Sequence, residues 1–154
     1  MATGDDQDID TAAGLVRLTF LVMGVYARTS DRQGLTPAQA KLLLVLSDRP
    51  RGMAELAGVL GVEKAALTGL VDRVERRGLA ERAAVPGDRR ALRVTLTGAG
   101  RRAAAAFHNE VSTELTELVA ALPPAERVQF GRSLARIVDS RDAPAIFPTA
   151  GRIA

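Results

Sequence analysis

The chain has 154 residues, room for one or two small folded units. Its 47% hydrophobic and 25% charged residues exclude wholesale disorder. There is no cysteine, which excludes disulfides, thiol redox sensing and cysteine-based metal sites, and one histidine, His108, cannot build a histidine-rich metal centre within one chain. The net charge is +3, but its distribution says more. Residues 61–102 hold ten basic groups (Lys64, Arg73, Arg76, Arg77, Arg82, Arg89, Arg90, Arg93, Arg101, Arg102) and five acidic ones (Glu63, Asp72, Glu75, Glu81, Asp88), a local +5. Such an excess is either the electrostatic footprint of a polyanion partner or a solvated arginine-rich surface.

Asp5, Asp6, Asp8 and Asp10 make the start acidic, unlike a secretory signal, and residues 1–8 read as a flexible acidic arm. No run of 18 uncharged apolar residues occurs, so no membrane span and a cytoplasmic location are expected. From Ile9 to Tyr26 the chain is densely apolar, with Arg17 the only charge between Thr11 and Ala27. That pattern predicts a helix buried on most sides, which in so small a chain implies a second subunit. Thr36-Pro37-Ala38-Gln39 starts the next helix: a capping threonine, proline at the first position and glutamine closing a capping box. It runs through KLLLVLSD and stops before Pro50. A short helix from Met53 to Leu60 ends at Gly61, and a longer one from about Glu63 to Arg77 ends at Gly78.

The period then changes. Leu79 to Val85 reads as a short strand and Pro86-Gly87-Asp88 as a turn. Leu92, Val94 and Leu96 alternate with Arg93 and Thr95, a strand with one face in the core. Thr97 caps a long helix from Gly98 to about Leu122, and Pro123-Pro124 breaks it. The last helix, Pro124 to about Ser140, has Val128, Leu134, Ile137 and Val138 as its apolar stripe. The tail beyond Arg141 reads as irregular, with Ile146, Phe147 and Ile153 able to dock on a partner. The expected fold is mainly α with a small β-hairpin, in the order α-α-α-α-β-β-α-α.

Within Met53 to Arg73, the apolar positions Leu56, Leu60, Val62, Leu67 and Leu70, a small Ala57 at the helix crossing and Gly61 at the turn satisfy a tight helix-turn-helix. With the hairpin directly after it, the unit is a winged helix-turn-helix. Leu67, Leu70, Val71 and Val74 should face inward. Glu63, Lys64, Ala65, Ala66, Thr68, Gly69, Asp72 and Arg73 then remain for DNA, with the helix N-terminus toward base edges. Lys64 and Thr68 offer hydrogen bonds, Ala65 and Ala66 offer methyls to thymine, Gly69 allows close approach, and Arg73 meets phosphate. Glu63 either favours the helix dipole as a cap or accepts from a cytosine amino group. On the hairpin, Arg89 and Arg90 suit a narrow minor groove, and Asp88 either pairs with Arg90 or caps the turn. Arg76, Arg77, Arg82 and Arg93 read as phosphate contacts or solvated surface. No nucleophile elbow, phosphate loop or dinucleotide fingerprint is present, so no enzyme activity, catalytic residue, cofactor or metal is expected.

The run GVEKAALTGLVDRVERRGLAERAAVPGDRRALRVTLTGAG, with its DRR wing and LTxxG segment, resembles the core of the MarR family of multiple-antibiotic-resistance regulators. The resemblance spans roughly residues 10–140 and is specific over 55–100. It implies a homodimeric winged-helix repressor whose first and last two helices form the dimer interface. It also implies that Arg90 enters the minor groove, oriented by Asp88. The implied division is a DNA-binding unit at 36–97 and a dimerisation region at 9–35 and 98–154. Two such units on one two-fold axis would read a palindromic operator in double-stranded DNA. Family members often bind small aromatic or anionic ligands between the dimer helices and the DNA-binding lobe; Arg17, Tyr26, Arg28 and His108 are the polar side chains here able to orient one, or are structural. Family members usually carry Ser or Thr near position 63 and a basic or polar residue near 69, so Glu63 and Gly69 depart from the pattern. The alternatives are a winged-helix module that binds protein and a DNA-binding regulator without a ligand.

Overall fold

The computed structural model describes residues 10–141 and 143. The acidic arm at 1–8 and the tail residues Ile146, Phe147 and Ile153 lie outside the described residues. Six helices and three strands follow in the order α1 (Thr11–Arg32), α2 (Pro37–Leu46), β1 (Arg51–Gly52), α3 (Met53–Leu60), α4 (Lys64–Arg76), β2 (Ala80–Val85), β3 (Asp88–Leu96), α5 (Gly98–Val119) and α6 (Pro124–Asp139).

Helix α2 is the hub. Its start is the expected capping box: Gln39 N–H donates to Thr36 Oγ1 at 3.2 Å, and Thr36 N–H donates to Gln39 Oε1 at 3.1 Å. Ala40 and Leu42 through Leu46 are all buried, because α1, α3, α4, α5 and β3 surround the helix. Leu56 of α3, Leu67, Val71 and Val74 of α4, Val94 of β3 and Phe107 of α5 complete the core. Burying such side chains supplies most of the driving force, at about 1.5–3 kcal/mol each.

Strand β1 has no counterpart in the order expected from the sequence. It pairs antiparallel with β3, Arg51 opposite Val94 and Gly52 opposite Arg93, and the sheet order is β1-β3-β2. Two residues carry no readable period. What fixes them is a buried guanidinium: Arg51 donates to Val45 O at 3.0 Å, to Glu55 at 2.6 Å and to Asp48 at 3.3 Å.

Two helices leave apolar faces that this chain does not cover. Helix α1, expected to be buried on most sides with the help of a second subunit, is not enclosed within the chain: only Val25, Thr29 and Ser30 are buried, while Leu15, Val16, Leu21 and Met23 are exposed and Phe20 is 70% exposed. By length and composition α1 could cross a membrane. Its C-terminal part is nonetheless held on α5 by charge: Arg28 pairs with Glu114 at 3.2 Å and Arg32 with both Glu110 and Glu114, while Gln33 donates to Glu110 at 2.7 Å. Gln33 and Arg32 hold the Glu110 carboxyl below the ordinary glutamate range, and Arg32 and Arg28 do the same for Glu114. Tyr26 meets Phe107 edge to face, with ring centroids 5.4 Å apart. The α6 stripe of Val128, Leu134, Ile137 and Val138 is also exposed, and no residue of α6 is buried.

The start of α5 locks the hairpin to the helices. Thr97 Oγ1 accepts from Gly100 N–H at 3.0 Å and donates to Gly78 O at 2.6 Å, and Thr97 N–H donates to Leu79 O at 3.1 Å. Gly100 is buried against this carbonyl: a Cβ there would stand 1.7 Å from Leu79 O.

Candidate nucleic-acid interface

The turn before α4 fixes its angle. Gly61 adopts the left-handed conformation (φ 63°, ψ 37°), and Val62 N–H returns to Ala57 O at 3.1 Å. Leu67, Leu70, Val71 and Val74 are buried as the spacing requires. The outer face therefore presents Glu63, Lys64, Ala65, Ala66, Thr68 and Arg73 to solvent, with Gly69 half-buried among them. Thr68 donates its hydroxyl to Lys64 O at 3.0 Å, which leaves the oxygen as an acceptor. At Gly69 a Cβ would touch only the mobile end of Arg73, so packing within the chain does not demand glycine there.

Glu63 occupies the N-cap position, yet its side chain makes no capping hydrogen bond. Asp72, expected on the DNA-facing side, is instead bound by Arg82 at 2.7 Å. Arg82 also pairs with Glu75, whose other oxygen accepts from Arg82 N–H at 2.8 Å. One half-buried guanidinium thus ties α4 to β2, and Arg82 is neither phosphate contact nor plain surface. Arg77 is also committed internally, donating to Gly34 O at 2.8 Å and Gln39 Oε1 at 3.0 Å. Arg76 donates to Asp72 O within its own helix. The Arg93 side chain is exposed and makes no hydrogen bond or ion pair among the described residues. Sequence spacing missed the Arg82 tie because it depends on α4 docking against β2.

The wing turns through Pro86-Gly87, since Val85 pairs with Asp88. Proline pre-sets the first turn residue, and Gly87 at φ 85° supplies the left-handed second one, as in a type II turn. The preceding pair is Ala84 with Leu92, so Arg89, Arg90 and Ala91 have no partners on β2 and form a bulge. Leu92 keeps the face of Val94 and Leu96 but lies nearer the wing tip, where its partner Ala84 is exposed as well; it is 50% exposed while Val94 and Leu96 are buried. Asp88 Oδ1 accepts from Arg90 N–H at 3.0 Å. Of the two roles expected for Asp88, this is the turn cap; no ion pair to the Arg90 guanidinium is formed. The Arg90 side chain is exposed, and that of Arg89 lies outside the described residues.

A second feature lies beside this lobe. A cleft of about 610 Å3 opens between α1, α2 and α3, walled by Leu15, Leu18, Val22, Met23, Leu44 and Leu60. Its few polar groups are Tyr26, Thr19 and Lys41. Burial raises the Tyr26 phenol above its ordinary value. Among the four side chains singled out for a ligand, only Tyr26 lines this cleft. Arg17 is exposed elsewhere on α1, Arg28 is paired with Glu114, and His108 sits on a polar groove of α5 with its Nε2 3.4 Å from Ser112 Oγ. Lys41 was missed; its signal was a lone lysine ahead of the apolar run LLLVL. No group of three or more His, Cys, Asp or Glu among the described residues is placed to hold a metal.

Comparison with known proteins converges on this geometry. Residues 33–91 match the MarR family model. No curated protein matches the sequence. Among solved structures, RV1404 from Mycobacterium tuberculosis is similar with a TM-score of 0.75 at 28% identity, over 87% of this chain and 93% of that one. The transcriptional repressor CouR of Rhodococcus jostii, solved on a 23-mer DNA duplex, is similar with a TM-score of 0.68 at 29% identity, over 90% and 98%. The Mycobacterium tuberculosis MarR family protein RV2887, solved with salicylic acid, is similar with a TM-score of 0.70 at 26% identity, over 85% and 98%. The family match falls on α2 through the wing, and the structural likeness extends to the flanking helices. Over the matched residues and in its fold, the chain is thus similar to winged-helix transcriptional regulators of the MarR family.

Proposed function

We propose that this protein is a homodimeric, cytoplasmic repressor that binds a palindromic operator and is released by a small aromatic or anionic ligand. The observation that carries the DNA reading is the state of its charges. Lys64, Arg73 and Arg90 are exposed and have no ion-pair partners among the described residues, while the two acids on the body of α4, Asp72 and Glu75, are bound to Arg82. Residues 36–97 form the DNA-binding unit. Lys64, Ala65, Ala66, Thr68 and Gly69 approach base edges, Arg73 meets phosphate, and Arg89 and Arg90 enter the minor groove, with Asp88 shaping the turn that carries them.

Residues 9–35 and 98–154 form the dimerisation region. The exposed apolar residues of α1 and the unburied stripe of α6 support this, because monomeric proteins rarely leave such patches uncovered. The cleft beside Tyr26 and Lys41 suits an aromatic acid: apolar walls take the ring and the ammonium takes the carboxylate. Binding of salicylic acid by RV2887 and of DNA by CouR supports both halves of the reading.

The test is fluorescence polarisation with duplexes from the region upstream of the protein's own coding sequence, titrated with salt. One dimer per palindrome at nanomolar affinity is expected, with a steep salt dependence and strong weakening in Arg90→Ala. Salicylate-like acids should release the complex, and Lys41→Met should blunt that release. Binding that is micromolar and equal on random DNA, or absent at low salt, overturns the repressor reading. Operator binding that no aromatic acid relieves overturns the ligand half alone.

A further inference from the structure

We propose that Glu63 is a specificity-determining residue that selects a cytosine in each operator half-site. The inference rests on reading α4 as the recognition helix. It starts from a role that the structure removes: Glu63 stands at the N-cap of α4, but its carboxylate caps nothing. Only its backbone carbonyl is engaged, accepting from Leu67 N–H at 3.0 Å. The side chain is exposed and has no ion-pair partner among the described residues.

Of the other acids in residues 61–102, Asp72 and Glu75 are held by Arg82, Asp88 accepts from the wing backbone, and Glu81 stands apart on β2. Among the described residues, Glu63 is therefore the one carboxylate of α4 and its N-cap whose side chain has no partner, and it sits at the end read as entering the groove. Apart from Lys64, whose flexible stem can bend aside, the outward residues of the first two turns are small: Ala65, Ala66, Thr68 and Gly69.

A carboxylate is an acceptor only. In the major groove, guanine offers O6 and N7 and thymine offers O4, all acceptors that repel it. Adenine offers its N6 amino group beside the acceptor N7. Cytosine offers its N4 amino group with no acceptor nitrogen next to it on that edge, and so is the best partner. On any other sequence the carboxylate loses water and gains nothing, while nearby phosphates repel it. Glu63 thus lowers affinity for wrong sites as well as raising it for the right one.

The experiment selects binding sites from randomised duplexes with the full-length wild type, Glu63→Ala and Glu63→Gln. Affinities are then measured for every single-base change in the wild-type site. One position per half-site should prefer cytosine by roughly 5- to 100-fold. Glu63→Ala should level that position and leave the others unchanged. Glu63→Gln should turn it toward adenine, whose N6 and N7 match a carboxamide. If both variants bind every duplex more tightly but keep all base preferences, Glu63 only repels DNA and the inference is overturned. It is equally overturned if the variants match the wild type throughout. If the wild type itself enriches no sequence, the recognition-helix reading fails first.

Discussion

Replacing Gly100 by alanine should damage the fold more than any comparable change on the surface of α5. The new Cβ would lie 1.7 Å from Leu79 O and 2.8 Å from Leu79 C. Both are backbone atoms, so no side chain can rotate away. Relief requires α5 or the start of β2 to move by more than about 1 Å in a close-packed region. Leu79 is pinned from both sides: its N–H donates to Val74 O at 3.1 Å and its carbonyl accepts from Thr97 N–H at 3.1 Å. Overpacking costs about 1–3 kcal/mol, and one or two lost hydrogen bonds add about 0.5–1.5 kcal/mol each. The better helix propensity of alanine returns about 1 kcal/mol. The net expectation is a loss of about 2–3 kcal/mol, or a fall in Tm of roughly 5–10 °C for a chain of this size. The assay is thermal denaturation followed by circular dichroism at one fixed protein concentration, since dimerisation would make Tm concentration-dependent. Gly98→Ala is the internal control: its Cβ would meet only Arg102 at 3.5 Å, an ordinary contact, so its Tm should match or exceed the wild type. A Gly100→Ala protein that melts within about 2 °C of the wild type would refute the close approach of α5 to Leu79.

Arg82→Ala should lower stability by about 1–2 kcal/mol because it strands Asp72 and Glu75, whereas Arg93→Ala, which loses no partner, should melt as the wild type does; equal melting of the two would show that the tie between α4 and β2 carries nothing. The pairing of α1 with α5 should be acid-sensitive. Glu110 and Glu114 are held below the ordinary glutamate value of 4.5 in the folded protein, so their contribution is present above that pH and is lost as pH falls through the depressed values. The Tm difference between the wild type and the Glu110→Gln, Glu114→Gln double variant should therefore shrink toward zero in acid, and a difference that grows there would reverse the sign of the argument. Phe20→Glu and Ile137→Asp place charges on the two uncovered apolar faces and should convert the proposed dimer to monomer in sedimentation equilibrium, with little change in the helical signal; a wild type that is monomeric would refute the dimer, and dimers that survive both substitutions would put the interface elsewhere.

Local chemistry was legible in the sequence, and tertiary consequences were not. The capping box at Thr36 and Gln39, the turn at Gly61 and the cap at Thr97 are decided within four residues, and each lies where the residues put it. The inward stripe of α4 followed from spacing alone. By contrast, β1 exists only because β3 passes beside Arg51 and Gly52. Leu92 keeps the strand alternation, but the core ends before it: its partner Ala84 is exposed and so is Leu92. For α1, apolar composition marks a surface that needs cover, but composition does not say whether the same chain covers it, and in this chain it does not. The site divides in the same way. Exposure of Lys64, Thr68 and Arg73 followed from helix period, whereas the engagement of Asp72 depends on an arginine ten residues away, on another element.

That engagement changes how the basic segment works. Among the described side chains of residues 61–102, Arg76, Arg77, Arg82 and Arg101 give guanidinium hydrogen bonds to the chain itself, whereas Lys64, Arg73, Arg90, Arg93 and Arg102 give none. Of these only Arg82 pairs with carboxylates, and it takes two of the five in the segment. The segment keeps its formal +5, but two of its negative charges are gathered on one guanidinium where α4 meets β2. A half-buried network is screened by salt far less than exposed charges are. Raising ionic strength should therefore weaken attraction to a polyanion while leaving α4 and the wing joined, so that binding becomes salt-dependent on a scaffold that is not. An arginine-rich chain with only two lysines suits this division, because the planar guanidinium can hold two carboxylates at once or, left free at a hairpin tip, present a flat cation to a narrow groove.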